Sequence, residues 1–164
     1  MSKIIQFIKK YSGVLFALYM VLLVLVIVLK FPTGLVSGTI QSWKSGGEFH
    51  RMAPQLIPFQ TIIEYVSQVH SLNDWFIKNL VCNIIMFMPY GFLFPFIMKG
   101  DKNIGVKVIL SGCMVSVVIE IFQYVTALGQ CDIDDVILNT VGVVLGYAIY
   151  RIIDIVIIKR SKEG

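Results

Sequence analysis

The chain has 164 residues, enough for one domain, with 57% hydrophobic and 15% charged residues and a mean hydropathy of +0.81. Soluble domains average about 25% charged residues, so these values exclude a disordered, collagen-like or ordinary water-soluble chain. The formal charge of +4 and the pI near 9.0 would suit a nucleic-acid binder only if the basic residues shared one face.

The first predicted element is the run from Tyr11 to Leu29, which lacks Asp, Glu, Lys, Arg and His. At ~1.5 Å per residue it approaches the ~30 Å of a hydrocarbon core. Lys3, Lys9 and Lys10 ahead of it also fit a secretory leader. The apolar run is longer than the usual ~7 to 15 residues of such a leader and no small-x-small pattern follows Lys30, so an uncleaved anchor is expected. Next comes a connection over 31–75, too long for a simple link between packed helices. It holds a Gly/Ser-containing part (Ser37, Gly38, Ser45, Gly46, Gly47) and then LIPFQTIIEYVSQV, in which Ile62, Tyr65, Val66 and Val69 recur at helical spacing. That pattern predicts a short amphipathic helix lying on a membrane surface or packed over the bundle. Three further apolar runs, at 76–98, 106–128 and 137–158, are each near the ~20 residues a span needs. The expected architecture is an all-α integral membrane protein. It forms one membrane domain over 1–164, a four-transmembrane-helix bundle with a long extracellular first loop containing a short interfacial helix.

Cytoplasmic flanks collect Lys and Arg. With the N-terminus inside, the cytoplasmic segments hold ten basic residues against three acidic ones, and the rest of the chain holds four basic (Lys30, Lys44, Arg51, Lys78) against seven acidic. Both termini are therefore expected in the cytoplasm, and the net charge of +4 divides into +7 inside and −3 elsewhere. The basic balance is thus a topology signal, no nucleic-acid partner is expected, and the lipid bilayer is the expected surrounding.

Polar side chains inside spans are costly, ~2.5 to 3.5 kcal/mol for a central charge, and each needs an explanation. Here they are patterned. Asn79 and Asn83 lie four apart, shortly before MFMPYG, where Pro89 removes a backbone donor and a bend or cavity is expected. Ser116, Glu120 and Gln123 fall on one stripe of the third span at i, i+4 and i+7, and Asp132, Asp135 and Asn139 form another into the fourth at i, i+3 and i+7. With alternating span directions, Asn83 and Asn139 lie within roughly 10 Å of the outer end and Glu120 about 12 Å below it. One outward-open polar pocket follows, lined by Asn79, Asn83, Glu120, Gln123, Asp132, Asp135 and Asn139, with Arg51 or His50 of the long loop able to approach.

Simpler roles compete with that pocket. Asn, Gln and Ser also join membrane helices by hydrogen bonds, Asp132 to Asp135 also suit a helix cap, and Gly142 with Gly146 suits a packing notch. No EF-hand spacing follows Asp132, Asp134 and Asp135. Cys82, Cys113 and Cys131 form no C-x-x-C, and neither a phosphate loop nor a G-x-S-x-G or H-E-x-x-H motif occurs. No metal and no cofactor are expected.

Four motifs in order, R-x-x-x-x-L-I-P-F (Arg51 to Phe59), N-x-x-M-F-x-P-Y-G (Asn83 to Gly91), E-x-x-Q (Glu120 to Gln123) and D-I-D-D-V-x-x-N-T-x-G (Asp132 to Gly142), resemble the VanZ-like family. The resemblance implies a small bacterial membrane protein of a family whose founding member confers low-level resistance to the glycopeptide antibiotic teicoplanin, with no agreed reaction. Many members carry Arg after the glycine preceding the aspartates, whereas here Gly129 is followed by Gln130, leaving Arg51 as the loop cation. A teicoplanin-like glycopeptide or a peptidoglycan precursor is the implied partner, met at the outer face of the membrane by Arg51, Asn79, Asn83, Glu120, Gln123, Asp132, Asp135 and Asn139. The rival expectation is an intramembrane enzyme acting on a lipid-linked or envelope substrate. There Glu120 would serve as the candidate catalytic acid or base, and Asp132 and Asp135 would hold a cation or orient water.

Overall fold

The structure is a computed structural model, which describes residues 3–29, 53–67, 75–98, 102–127 and 129–162. Among them the regular structure is helical: α1 (Lys3–Leu29), α2 (Gln60–Ser67), α3 (Trp75–Ile97), α4 (Ile104–Thr126) and α5 (Ile133–Lys162). Four of these are long and apolar enough to cross a membrane, over Ile5–Ile27, Leu80–Ile97, Ile104–Thr126 and Ile133–Val156. The protein is therefore a multi-pass helical membrane protein. Arg51, His50 and most of the long connection lie outside the described residues, as does the side chain of Asn79.

The interior is small because the solvent is hydrocarbon. Leu23, Ile27, Phe87, Tyr90, Val108 and Val143 form the buried apolar cluster, while Val14, Leu18, Leu22, Leu110, Met114 and Val118 stay more than half exposed. A lipid-facing side chain gains nothing by moving inward, since lipid tails are as apolar as leucine. Close backbone packing and hydrogen bonds must supply the cohesion instead.

The most extensive contact is between α3 and α5, followed by α4 with α5 and α1 with α3. The α3–α5 seam is built on glycine: a methyl group added at Gly91, Gly142 or Gly146 would overlap the carbonyl oxygens of Val143, Ile84 and Met88 respectively. The Gly142/Gly146 notch expected from sequence is therefore present, and it serves packing within the chain. Further along the same pair, Phe96 and Tyr150 meet edge to face at 4.9 Å. Helix α3 stays helical through Pro89 and Pro95. Helix α1 attaches through Phe16, which touches the rings of Tyr90 and Phe94, and through Tyr19, whose hydroxyl donates to the Met86 carbonyl at 2.9 Å.

The turn between α4 and α5 positions the site. Ala127 takes the left-handed conformation (φ 55°) that ends α4, and α5 begins at Ile133, four residues before the apolar run. Asp132 explains the early start: its Oδ1 accepts the backbone N–H of Asp134 at 2.8 Å, the bond an N-cap makes. Asp134 and Asp135 in the first turn complement the helix dipole.

Candidate functional site

The buried stripe of α4 is Val108, Gly112, Ser116 and Glu120, at strict four-residue spacing. The polar stripe read from the sequence is therefore the bundle-facing side. Ser116 is fully buried and Glu120 is 3% exposed. Opposite them, Asn139 donates to Ser116 Oγ at 2.8 Å and Asn83 donates to Asp135 Oδ1 at 2.5 Å. Glu120 Oε2 accepts the backbone N–H of Asp132 at 3.0 Å. These bonds join α3, α4 and α5 at one level, and each bond to an ionised group contributes ~1.5 to 3 kcal/mol. Among the described residues no buried side-chain nitrogen or oxygen lacks a partner, as the low dielectric of the interior demands.

Asn83, Glu120, Gln123, Asp135 and Asn139 line one small cavity, closed on its apolar side by Ile27, Met86, Phe87 and Ile119. Its volume of about 20 Å³ suits roughly one water molecule. It lies one turn before Pro89, where the sequence led to a bend or cavity. Of the eight residues singled out from sequence, the structure brings these five to one cavity. Asp132 stands at its edge, bonded through its backbone to Glu120 and through its side chain elsewhere.

That other attachment was not visible in the sequence. The stretch 53–67 runs back over the start of α5 and is tied there along its length. Gln55 N–H donates to the Cys131 carbonyl at 2.8 Å, and Ile133 N–H donates to the Gln55 carbonyl at 3.0 Å, one rung of parallel pairing between Gln55 and Asp132. Thr61 Oγ1 donates to Asp132 Oδ2 at 2.7 Å, and Gln130 Nε2 donates to the Ala53 carbonyl at 2.8 Å. Gln130 thus has a defined bond to this stretch.

Asp134, fully buried, accepts the backbone N–H groups of Phe59 at 2.6 Å and Ile62 at 3.0 Å. It caps α2 from another helix. Phe59 adopts φ 67°, a left-handed conformation that costs an ordinary residue roughly 1 to 2 kcal/mol. The two carboxylate bonds offset that strain. Asp134 stood within the D-I-D-D-V motif but off the Asp132/Asp135/Asn139 stripe, and because its partners are backbone groups its hold on Phe59 and Ile62 was not legible in the sequence.

Helix α2 forms within the stretch where helical spacing was noted; among its described side chains Thr61 and Ile62 are half-buried, and Val69 and the side chain of Tyr65 lie outside the described residues. Ile63 and Val66, with Leu56, Ile57 and Phe59 before them, are more than half exposed. The Cys131 thiol in the α4–α5 turn is pushed above its ordinary value, first by burial and then by the negative charges of Glu120 and Asp132. Among the described residues no group of three or more His, Cys, Asp or Glu converges to hold a metal ion.

Fold and site together define a polytopic helical membrane protein with an acid–amide cluster buried between three spans near one end of the bundle. The profile of the VanZ/LLP1 family matches residues 16–154, and the chain belongs to this family. It is 29% identical over 143 residues to Protein VanZ of Enterococcus faecium, an alignment covering 87% of this chain and 74% of that protein. No solved structure matches it.

Proposed function

We propose that this protein lowers susceptibility to teicoplanin-type glycopeptide antibiotics by reducing antibiotic binding at the outer face of a bacterial cell membrane. The working site is the acid–amide cluster, completed by Arg51 and Asn79. The orientation is the one the Lys and Arg distribution favours, with both termini cytoplasmic. The 31–75 connection is then extracellular and α2 is its interfacial helix, at the level where lipid-linked peptidoglycan precursors and the antibiotic meet. The observation that carries this reading is the convergence of Asn83, Glu120, Gln123, Asp135 and Asn139 on one cavity, because packing alone has no need of two carboxylates. Room for about one water excludes a glycopeptide from the cavity in this conformation. Protection therefore works through the outer surface that the cluster organises or through a small polar group. In cells exposed to teicoplanin, E120Q and D135N proteins that reach wild-type membrane levels are expected to lose protection. Unchanged resistance in both would overturn the assignment.

A second reading rests on the same cavity. A buried Glu120 beside space for one water is the arrangement of a general base, and would make the protein an intramembrane enzyme acting on a lipid-linked or envelope substrate. Mass spectrometry of cell-wall precursors and lipids with and without the protein separates the two. A covalent change that E120Q abolishes supports the enzyme, and unchanged chemistry with less surface-bound antibiotic supports the binder.

A further inference from the structure

The acids of the site divide into two groups. Glu120 and Asp135 face the cavity. Asp134, fully buried, does not line it and spends both oxygens on Phe59 and Ile62 of the 53–67 stretch. Asp132 connects the groups, since its backbone N–H is held by Glu120 and its side chain holds Thr61. The stretch is therefore fastened by Asp132 and Asp134 at the start of the helix that also supplies the cavity residues Asp135 and Asn139.

We propose that Asp134 is a positioning residue of the site: it clamps 53–67 over the polar cavity, and release of this clamp is what opens the cavity to any ligand larger than water. The proposal rests on the reading that the cavity is the working site. Three features carry it. The clamp is made of backbone N–H groups meeting one buried carboxylate, so its loss leaves unpaired groups on both sides. Phe59 is held in a left-handed conformation that the free stretch has no reason to keep. Among the described residues the hydrogen bonds of the tie join Ala53, Gln55, Phe59, Thr61 and Ile62 to residues 130–134, α2 also touches α3, and the glycines of the α3–α5 seam make none of these bonds.

The test is local exchange combined with access, on the full-length protein in detergent, where reagents reach both faces. Hydrogen exchange of wild type should show protected amides at Gln55, Phe59 and Ile62. In D134A, exchange across 53–67 should rise at least 10-fold while the α4 peptides 104–126 stay at wild-type rates. D134N, which keeps one acceptor, should fall between them. In parallel, a Q123C reporter inside the cavity should react with N-ethylmaleimide at least 10-fold faster when combined with D134A, and only modestly faster with T61V. Three results would overturn the clamp: 53–67 exchanging as fast in wild type as in D134A, α4 loosening together with it, or a Q123C rate that ignores Asp134. Loss of antibiotic protection in E120Q with these rates unchanged tests the functional reading separately, so the two ideas fail independently.

Discussion

Helices α3 and α5 are joined twice, by different chemistry at each end. From the contact of Ile84 with Gly142 onward the joint is steric: Gly91, Gly142 and Gly146 admit the neighbouring backbone, and Phe96 packs on Tyr150. Toward their N-termini the same helices are joined by Asn83 with Asp135, and Asn139 ties α5 to Ser116 of α4. Both joints hold the bundle, but only the second places acids, Asp135 and the buried Glu120, between the spans. Since the glycine seam shows that this chain packs helices without charge, the acids call for a role beyond adhesion.

The comparison can be broken first at the glycine end. G142L or G146L drives a side chain into a carbonyl of α3, and overpacking of this kind costs ~3 kcal/mol or more. Folded protein in the membrane, followed by thermal melting in detergent, should largely disappear. A stable G146L protein would refute the steric account. S116A sharpens the polar end, because it removes only the partner of Asn139. It should lower stability by ~0.6 to 2 kcal/mol and leave antibiotic protection in place, marking Ser116 as an adhesive residue. The smallest effect concerns Cys131. Its raised pKa leaves less thiolate at neutral pH than an exposed cysteine has, so alkylation should be slower than for an unstructured cysteine peptide and climb only as pH rises beyond the ordinary thiol range. E120Q removes one of the raising charges and should speed it. Identical pH–rate curves for the two proteins would show that Glu120 does not act on Cys131.

The four spans were legible because their signal is apolar length, which needs no knowledge of partners. The cavity residues Asn83, Glu120, Gln123, Asp135 and Asn139 were legible for a related reason: a polar residue in a lipid-crossing helix must face inward, so helical spacing and depth bring it near others on neighbouring spans. The family was legible in four short motifs spread from Arg51 to Gly142. The early start of α5 at Ile133 was hidden, because the apolar run begins later and only the Asp132 cap extends the helix. Asp134 was hidden as well. Its partners are the N–H groups of Phe59 and Ile62, more than 70 residues away, and backbone groups carry no sequence signature. The size of the cavity could not be foreseen either, since it depends on how closely glycines let the helices approach.

The most direct test of the central claim, that the acid–amide cluster is the working site, is the amount of fluorescent teicoplanin bound to intact cells carrying wild-type or E120Q protein at equal membrane levels. The account predicts that wild-type cells bind less antibiotic than cells lacking the protein, and that E120Q cells bind as much as those lacking it. Equal reduction by wild type and E120Q would contradict it.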